Sequence, residues 1–441
     1  MEVEQREWIV RFYFLVNQYW KELLDKTKSF LISKSAVLEA YRRVKANKGA
    51  AGCDGQSIED FEKDLENNLY KIWNRMSSGS YFPPPVKRVE IPKDDGRTRP
   101  LGIPTVSDRI AQMVVKLHLE PELEKCFHPD SFGYRPGKSA TQAVELTRKR
   151  CWEYDWVIDL DIKGFFDNIN HHRMMLAVKW HTQERWILLH IERWLKASVL
   201  MPDGGLLDRD TGTPQGGVIS PLLANLFLHY AFDMWLSRNF PYNPFERYAD
   251  DAIIHCQTEE EALRIKEALT TRLLECCLEL HPDKTKIVYC KDDNRRGLAK
   301  VTQFDFLGFT FRMRTARNQY KKTLFNSFSP AISLKSKRKI KAEIKSWKVY
   351  KRSDLSIFDI SKFCNPKIRG WIGYYGKFYQ SELYMIFKQF NTSLFHWASR
   401  KYKKLKGSKE KFFRWLKNFA GLYPDLFRHW RLRGVWVSTV Q

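Results

Sequence analysis

Asp250 and Asp251 are adjacent carboxylates inside the run Glu-Arg-Tyr-Ala-Asp-Asp-Ala-Ile-Ile-His, entered from Phe245 to Tyr248 and left through Ala252 to Ile254. Apolar and aromatic residues on both sides predict a β-hairpin that presents both acids at its tip. Hard carboxylate oxygens hold divalent cations. A phosphoryl-transfer site with two such ions needs acids from more than one segment, so that one ion activates the attacking oxygen and the other neutralises the leaving group. Trp156-Val157-Ile158-Asp159-Leu160-Asp161-Ile162 supplies a second acidic segment. Strand alternation sends Trp156, Ile158, Leu160 and Ile162 to one face and Val157, Asp159 and Asp161 to the other. Side by side, strand and hairpin would gather two cations roughly 3.5–4 Å apart. Taken singly, each segment also reads as a solvated face or an acidic turn.

Charge shows what the substrate carries. The chain has 75 Lys and Arg against 51 Asp and Glu, a formal charge of +24 that points to polyanions. From Arg312 to the end there are 31 basic and 6 acidic residues, against 44 and 45 in residues 1–311, so the whole excess is C-terminal. A nearly neutral catalytic region followed by a basic one suits an enzyme that grips a phosphate backbone with one part and does chemistry with another. A single run such as Lys335-Ser336-Lys337-Arg338-Lys339 also fits a solvated helix face.

With 441 residues and 43% apolar content, the chain can bury more than one core, and a multidomain globular protein is expected. No apolar run reaches the ~20 residues of a membrane span: the nearest, Trp8 to Trp20, is broken by Arg11, Asn17 and Gln18, and no secretory signal is expected. The eight cysteines form no Cys-x-x-Cys pair. Cys276-Cys277 lie in an apolar helical stretch, so buried free thiols in a reducing cytoplasm are expected in place of zinc sites or disulfides.

Residues 1–78 read as helical, with an aromatic N-terminal helix (Trp8, Phe12, Leu15, Tyr19) and turns at Asn47-Lys48-Gly49 and Gly52-Cys53-Asp54-Gly55, before Pro83-Pro84-Pro85 breaks the pattern. Val86 to Ile91 and Arg99 to Ile103 then read as a hairpin whose loop carries Lys93, Arg97 and Arg99. Those cations would meet a triphosphate, or form a basic tip in water. Helix resumes near Asp108. The loop Ser131-Phe132-Gly133-Tyr134-Arg135-Pro136-Gly137-Lys138-Ser139 lacks the spacing of an NTPase loop and suggests template contact. A helix around Trp186 to Trp194 precedes Gly212-Thr213-Pro214-Gln215-Gly216-Gly217, after which Ser220-Pro221 opens an apolar helix from Leu222 to Leu236. Paired glycines admit a ligand close to the backbone and Gln215 both donates and accepts, although the motif alone also reads as a turn with a helix cap.

Taken in order, these stretches resemble the reverse transcriptases of group II introns, the intron-encoded maturase family. The resemblance rests on Ile91-Pro92-Lys93 with Thr98-Arg99-Pro100-Leu101-Gly102-Ile103-Pro104, Ser131 to Gly137, Asp161 to Asn170, Thr213 to Pro221, Tyr248 to Asp251, Leu280 to Thr285, and Phe306-Leu307-Gly308-Phe309. Ile368-Arg369-Gly370-Trp371 with Gly373-Tyr374-Tyr375 follows. The matches run from near Ala36 to near Tyr379.

The resemblance implies an α+β right-hand polymerase: a helical N-terminal extension over 1–36, reverse transcriptase fingers and a palm with an antiparallel sheet over 37–311, and a basic helical thumb and maturase-like RNA-binding region over 312–441. It implies that Asp161, Asp250 and Asp251 hold two Mg²⁺ ions, and that Asp159, outside the motif, is structural. Phe166 would exclude a 2′-hydroxyl and so select dNTPs. Lys93 and Arg99 would hold the triphosphate, Gln215 would sit beside the nascent base pair, and Lys284, or its neighbour Lys286, would lie near the pyrophosphate. Arg135, Gly216, Gly217, Phe306, Leu307, Gly308, Arg369 and Trp371 would contact template or primer. The implied partners are an RNA template, a DNA or RNA primer and structured intron RNA, with no membrane, and the implied setting is the bacterial cytoplasm or nucleoid.

In the C-terminal part, Trp347, Trp371, Tyr374, Tyr375, Trp397, Trp415 and Trp430 interleave with basic residues, which suits base stacking or core packing. The chain stops soon after Trp430 without the Cys-x-x-Cys or paired His spacing of an appended nuclease domain. Two roles of different kinds follow: an RNA-directed DNA polymerase, or an RNA-binding splicing factor in which polymerisation is incidental. A free-standing enzyme of host repair or defence shares the same motifs.

Overall fold

The last N-terminal helix, Leu65–Ser77, ends at Gly79, φ 72, and the three adjacent prolines at 83–85 keep the chain extended into the strand that follows, because the residue before a proline is driven out of helical geometry. The computed structural model describes residues 28–92, 96, 98–317 and 320–432, so the expected helix around Trp8 to Tyr19, and Lys93 and Arg97, lie outside the described residues. Among the described residues the strands are β1 Val86–Pro92, β2 Thr98–Ile103, β3 Trp156–Asp161, β4 Val199–Leu200, β5 Leu206–Leu207, β6 Phe245–Tyr248, β7 Asp251–Cys256, β8 Lys286–Tyr289, β9 Gln303–Phe306, β10 Phe309–Arg317 and β11 Leu324–Ile332. The chain divides into two compact units, one of residues up to Phe127 with Gly164–Tyr230, the other of His128–Lys163 with Ala231 onward.

In the first unit, β1 and β2 form the expected hairpin, paired from Lys87↔Ile103 to Pro92↔Thr98, and β4 and β5 extend it to a sheet of order β2-β1-β4-β5. The helix Val106–Glu124 starts where Thr105 caps it, its side chain accepting from Asp108 N, and buries Ile110, Ala111, Val114 and Val115. The expected turns after Asn47 and at Gly52–Gly55 are present, with Lys48 at φ 57 and Gly49 at φ 133. The apolar helix that Ser220-Pro221 opens runs Ser220–Leu228, then widens into a π turn, His229–Asp233, before continuing as Met234–Asn239. One unbroken helix to Leu236 was expected. The π turn accommodates an extra residue, and Asp233 at its end is fully buried.

The second unit holds the antiparallel sheet β6-β7-β3-β8, with β3 between β7 and β8. Val157, Ile158, Ile253, Ile254 and Val288 are all buried, because helices Ala140–Glu153 and Glu259–Glu275 contact the sheet's strands. A second sheet, β9-β10-β11, shares a core with them through Phe304, Phe311 and Phe328, the Phe304 and Phe311 rings stacked at 4.7 Å. Phe309–Arg317 and Leu324–Ile332 are therefore strands, and the C-terminal helices begin at Leu334. Alternating side chains along Phe309–Arg317 make a sheet face where the resemblance implied a helical region from residue 312. Helices Leu334–Ser346, Ile357–Tyr375, Ser381–Lys401 and Lys409–Leu422 close around Ile360, Phe387, Phe390, Leu394, Trp397 and Phe412. All eight cysteines are free. Cys276 is buried where its helix ends, whereas Cys277, at φ 61, and Cys126 are exposed.

No helix among the described residues is long and apolar enough to cross a membrane.

Candidate active site

The acids expected to work together come to one end of one sheet. β3 and β7 run antiparallel in the register Asp159↔Ile253, Leu160↔Ala252, Asp161↔Asp251, so Asp161 and Asp251 are directly opposite. Side chains in that relation have Cβ atoms about 4.5–5.5 Å apart. The hairpin β6–β7 closes at Tyr248↔Asp251, which leaves Ala249 and Asp250 as its two-residue turn. Both acids were expected at the tip; only Asp250 is there, and Asp251 opens the return strand. Ala249 adopts φ 58, a left-handed conformation costly for a residue with a Cβ.

What holds this turn is a set of residues that sequence reasoning did not single out. Phe132 N donates to Arg247 O at 2.7 Å and Arg247 N to Asp130 O at 3.0 Å, laying the 130–133 segment against β6. A Cβ at Gly133 would stand 2.4 Å from Ala249 N, so only glycine lets that segment lie against the turn. The Arg247 guanidinium, 1% exposed, makes two 2.6 Å bonds to the Asp233 carboxylate and donates to Ala249 O at 3.0 Å. The π turn thus ends on the acid that locks the arginine that holds the strained residue. Arg135 lies in the same loop, 9% exposed, and its guanidinium bonds His128 O and Ser131 O at 2.6 and 2.8 Å. Those donors shape the loop itself.

Lys284, in the turn before β8, donates to Asp161 Oδ2 at 2.7 Å, so a cation already sits on that carboxylate. Lys286 pairs in register with Asp159 instead. Burial first, and then the Asp251 carboxylate, push the Asp159 carboxyl up to about 7. Among the described residues no three His, Cys, Asp or Glu side chains are drawn together as a ready-made metal cage. The donor chemistry nevertheless fits: oxygen-only ligands from a strand, a turn and a neighbouring strand are what a hard divalent ion takes.

In the first unit, Arg99 and Gln215, far apart in sequence, are joined by a 2.6 Å bond from Arg99 Nε to Gln215 Oε1. Gly216 has φ 117, and a Cβ there would strike Gly102 O at 2.3 Å, which sets the Gln215 loop flush against β2. Phe166 is 7% exposed, packed edge-on against Phe165 at 5.3 Å, and its carbonyl accepts from Thr213 N at 2.8 Å. It thereby borders the Gly212–Gly217 loop.

The Phe306–Phe309 motif is a tight hairpin turn between β9 and β10. Phe306 and Phe309 are buried core residues, and the turn between them is half-buried, with Leu307 packed against the same core. Leu307 and Gly308 both have positive φ, 50 and 81, the signature of a type I′ connection. Tyr374 Oη donates to Leu307 O at 2.8 Å, and Ser333 N and Ser336 Oγ each donate to Gly308 O at 3.0 Å. Trp371 stacks on Trp347 at 5.6 Å and packs against the C-terminal core, as Trp397 and Trp430 do, whereas Arg369 is exposed beside Phe358 and Lys362.

Comparison with known proteins accounts for both halves of this pattern. The family described as reverse transcriptase (RNA-dependent DNA polymerase) matches residues 91–311, and the group II intron maturase-specific domain matches residues 337–415. Protein YkfC of Escherichia coli strain K12 is 33% identical over 297 residues, covering 58% of this chain and 77% of that protein. The group II intron-encoded protein LtrA of Lactococcus lactis subsp. cremoris is 33% identical over 211 residues, covering 47% of this chain but 35% of LtrA. A 91 kDa protein in the cob intron of Schizosaccharomyces pombe is 30% identical over 204 residues, 46% of this chain and 25% of that protein. The paired acids on neighbouring strands and the maturase-type helices after them thus belong to one lineage: the chain is a member of the reverse transcriptase family, of the group II intron type.

Proposed function

We propose that this chain extends a primer 3′-hydroxyl with dNTPs on an RNA template, and that its basic C-terminal part binds structured intron RNA to assist splicing and mobility. The observation that carries the chemistry is the register of Asp161 opposite Asp251, with Asp250 in the adjoining turn. Two Mg²⁺ ions held by these three carboxylates would sharpen the 3′-hydroxyl as a nucleophile and screen the departing pyrophosphate. The remaining work is placement and charge. Arg99 and Lys93 are assigned to the triphosphate, and Gln215 to the nascent base pair. Phe166 closes the sugar side. Lys284, bonded to Asp161, is assigned to the pyrophosphate side of the site. Arg135, Gly216, Gly217, Phe306, Leu307, Gly308, Arg369 and Trp371 are assigned to template and primer. The division into an extension over 1–36, fingers and palm over 37–311 and a thumb and maturase-like region over 312–441, and action in the bacterial cytoplasm or nucleoid, belong to the same proposal.

Asp250→Ala tests it. Extension of a DNA primer on RNA is expected to fall about 10³-fold or more, the order expected when a metal ligand of a two-metal site is lost, while filter-bound RNA remains unchanged. A folded variant that still extends primers would refute the assignment.

The second reading, a splicing factor with incidental polymerisation, is favoured by the maturase-specific match at 337–415 and the basic surplus beyond Arg312. Sequencing RNA that copurifies from cells separates the roles: one enriched intron supports the splicing factor, and a scatter of transcripts supports a free-standing enzyme of host repair or defence.

A further inference from the structure

Behind the Gln215 loop runs a buried chain of hydrogen bonds that the chemistry above leaves unused. Asp108, in the first turn of the helix Val106–Glu124, is 1% exposed and accepts from three donors. Tyr81 Oη and Trp194 Nε1 reach its Oδ1 at 2.9 and 2.7 Å, and Gln112 Nε2 reaches its Oδ2 at 2.9 Å. One helical turn on, Gln112 is 2% exposed, and its Oε1 accepts the backbone N–H groups of Val218 at 2.8 Å and Ile219 at 3.3 Å. Those two residues directly follow Gly212–Gly217. A Cβ at Gly217 would lie 3.2 Å from that same Oε1 and 2.5 Å from Ser220 Oγ, so the glycine admits the contact. On its other side the loop is tied to β2, where Gly102 N donates to Gln215 O at 2.6 Å. Gln215 is therefore suspended between two anchors, one on the hairpin that carries Arg99 and one on Gln112.

The polarity of the second anchor is set by Asp108. An ionised carboxylate only accepts, so the Gln112 amide must turn its NH₂ toward Asp108 and its oxygen toward the loop. Burial raises the Asp108 carboxyl to about 6, opposed by the bonds from Trp194, Tyr81 and Gln112, which leaves it an acceptor at neutral pH.

We propose that Asp108 and Gln112 are positioning residues for the incoming nucleotide: the pair orients the Gln112 amide, which fixes the height of the Gln215 loop. The inference rests on the nucleotide-binding reading of Gln215.

A swap of groups tests it in the full-length chain. Asp108→Asn keeps an oxygen for Tyr81 and Trp194 but sets an NH₂ against that of Gln112, which has to turn over and leave the loop N–H groups without an acceptor. The double variant Asp108→Asn/Gln112→Glu restores every donor–acceptor pair with the carboxylate moved one place along. Asp108→Asn is expected to raise the KM for dNTP ~10-fold, to leave template–primer affinity within ~2-fold, and to speed amide exchange at 218–219, as loss of a buried acceptor should. The double variant is expected to return all of these toward wild type. Gln112→Met, which removes the loop's acceptor together with the donor to Asp108, should raise KM and exchange alike, and serves if Asp108→Asn does not fold. Unchanged exchange, an unmoved KM, or a double variant no better than Asp108→Asn would overturn the inference. A wild-type chain that extends no primer would defeat the polymerase reading instead, and the exchange data would still decide whether the pair holds the loop.

Discussion

Gly133 acts through the absence of a side chain. A methyl group there would meet the backbone at 2.4 Å from Ala249 N and 3.0 Å from Tyr248 C, and backbone cannot swing aside as a flexible side chain would. Gly133→Ala is therefore expected to shift the turn that carries Asp250, lowering primer extension by at least ~10-fold while RNA binding holds, since overpacking of a tight contact costs about 1–3 kcal/mol. Extension assays beside filter binding read both quantities. Arg247→Met should leave the Asp233 carboxylate buried without its partner and destabilise the fold by about 3–5 kcal/mol, seen as a lower urea midpoint. Residues of this kind mark where sequence reasoning ran out. That Asp161 and Asp251 meet at one sheet end, with Asp250 in the adjoining turn, was legible from the apolar runs on either side of them. Gly133, Arg247, Asp233 and the Asp108–Gln112 pair were not, because their meaning lies in partners that only the fold brings near, and a buried arginine looks in sequence like an exposed one.

Among the elements, hairpins were read well and their ends less well. The β1–β2 and β6–β7 pairs follow from alternation and turn residues, but the position of Asp251, turn or strand, depends on one hydrogen-bonded pair that propensity does not resolve. The strands Phe309–Arg317 and Leu324–Ile332 were missed because the resemblance implied a helical region from residue 312. The Leu307–Gly308 turn gives an element-scale prediction. Tyr374→Phe removes the donor to Leu307 O and should loosen the turn by about 1 kcal/mol, shortening the products made per binding event with little change in the first addition. Among the C-terminal helices, His429 is fully buried beside Phe387 and Phe390, its Nε2 paired with Asn391 Oδ1, and burial pushes its pKa down from 6.5 to about 3. Neutral His429 stabilises the fold above pH 6.5, and that contribution is lost as pH falls toward 3, at up to ~1.4 kcal/mol per pH unit. The expected result is a urea midpoint that drops between pH 6.5 and 4 and drops less steeply in His429→Gln.

At the scale of the whole molecule, charge is the ruling quantity. The surplus of basic residues beyond Arg312 predicts RNA binding that weakens on the order of 10³-fold between 50 and 200 mM salt, if about six or more phosphates are neutralised. Titration of labelled RNA across KCl concentrations measures the slope, and a flat response would show that stacking, not charge, dominates. The same C-terminal helices have a further consequence through Tyr374, which holds a carbonyl 67 residues earlier in the chain. A ribosome that has translated the aspartates and the Leu307–Gly308 turn has not yet made the residues that brace it. The nascent chain would thus stay incompetent until its RNA-gripping helices emerge, so that copying waits for the part of the protein able to select what is copied.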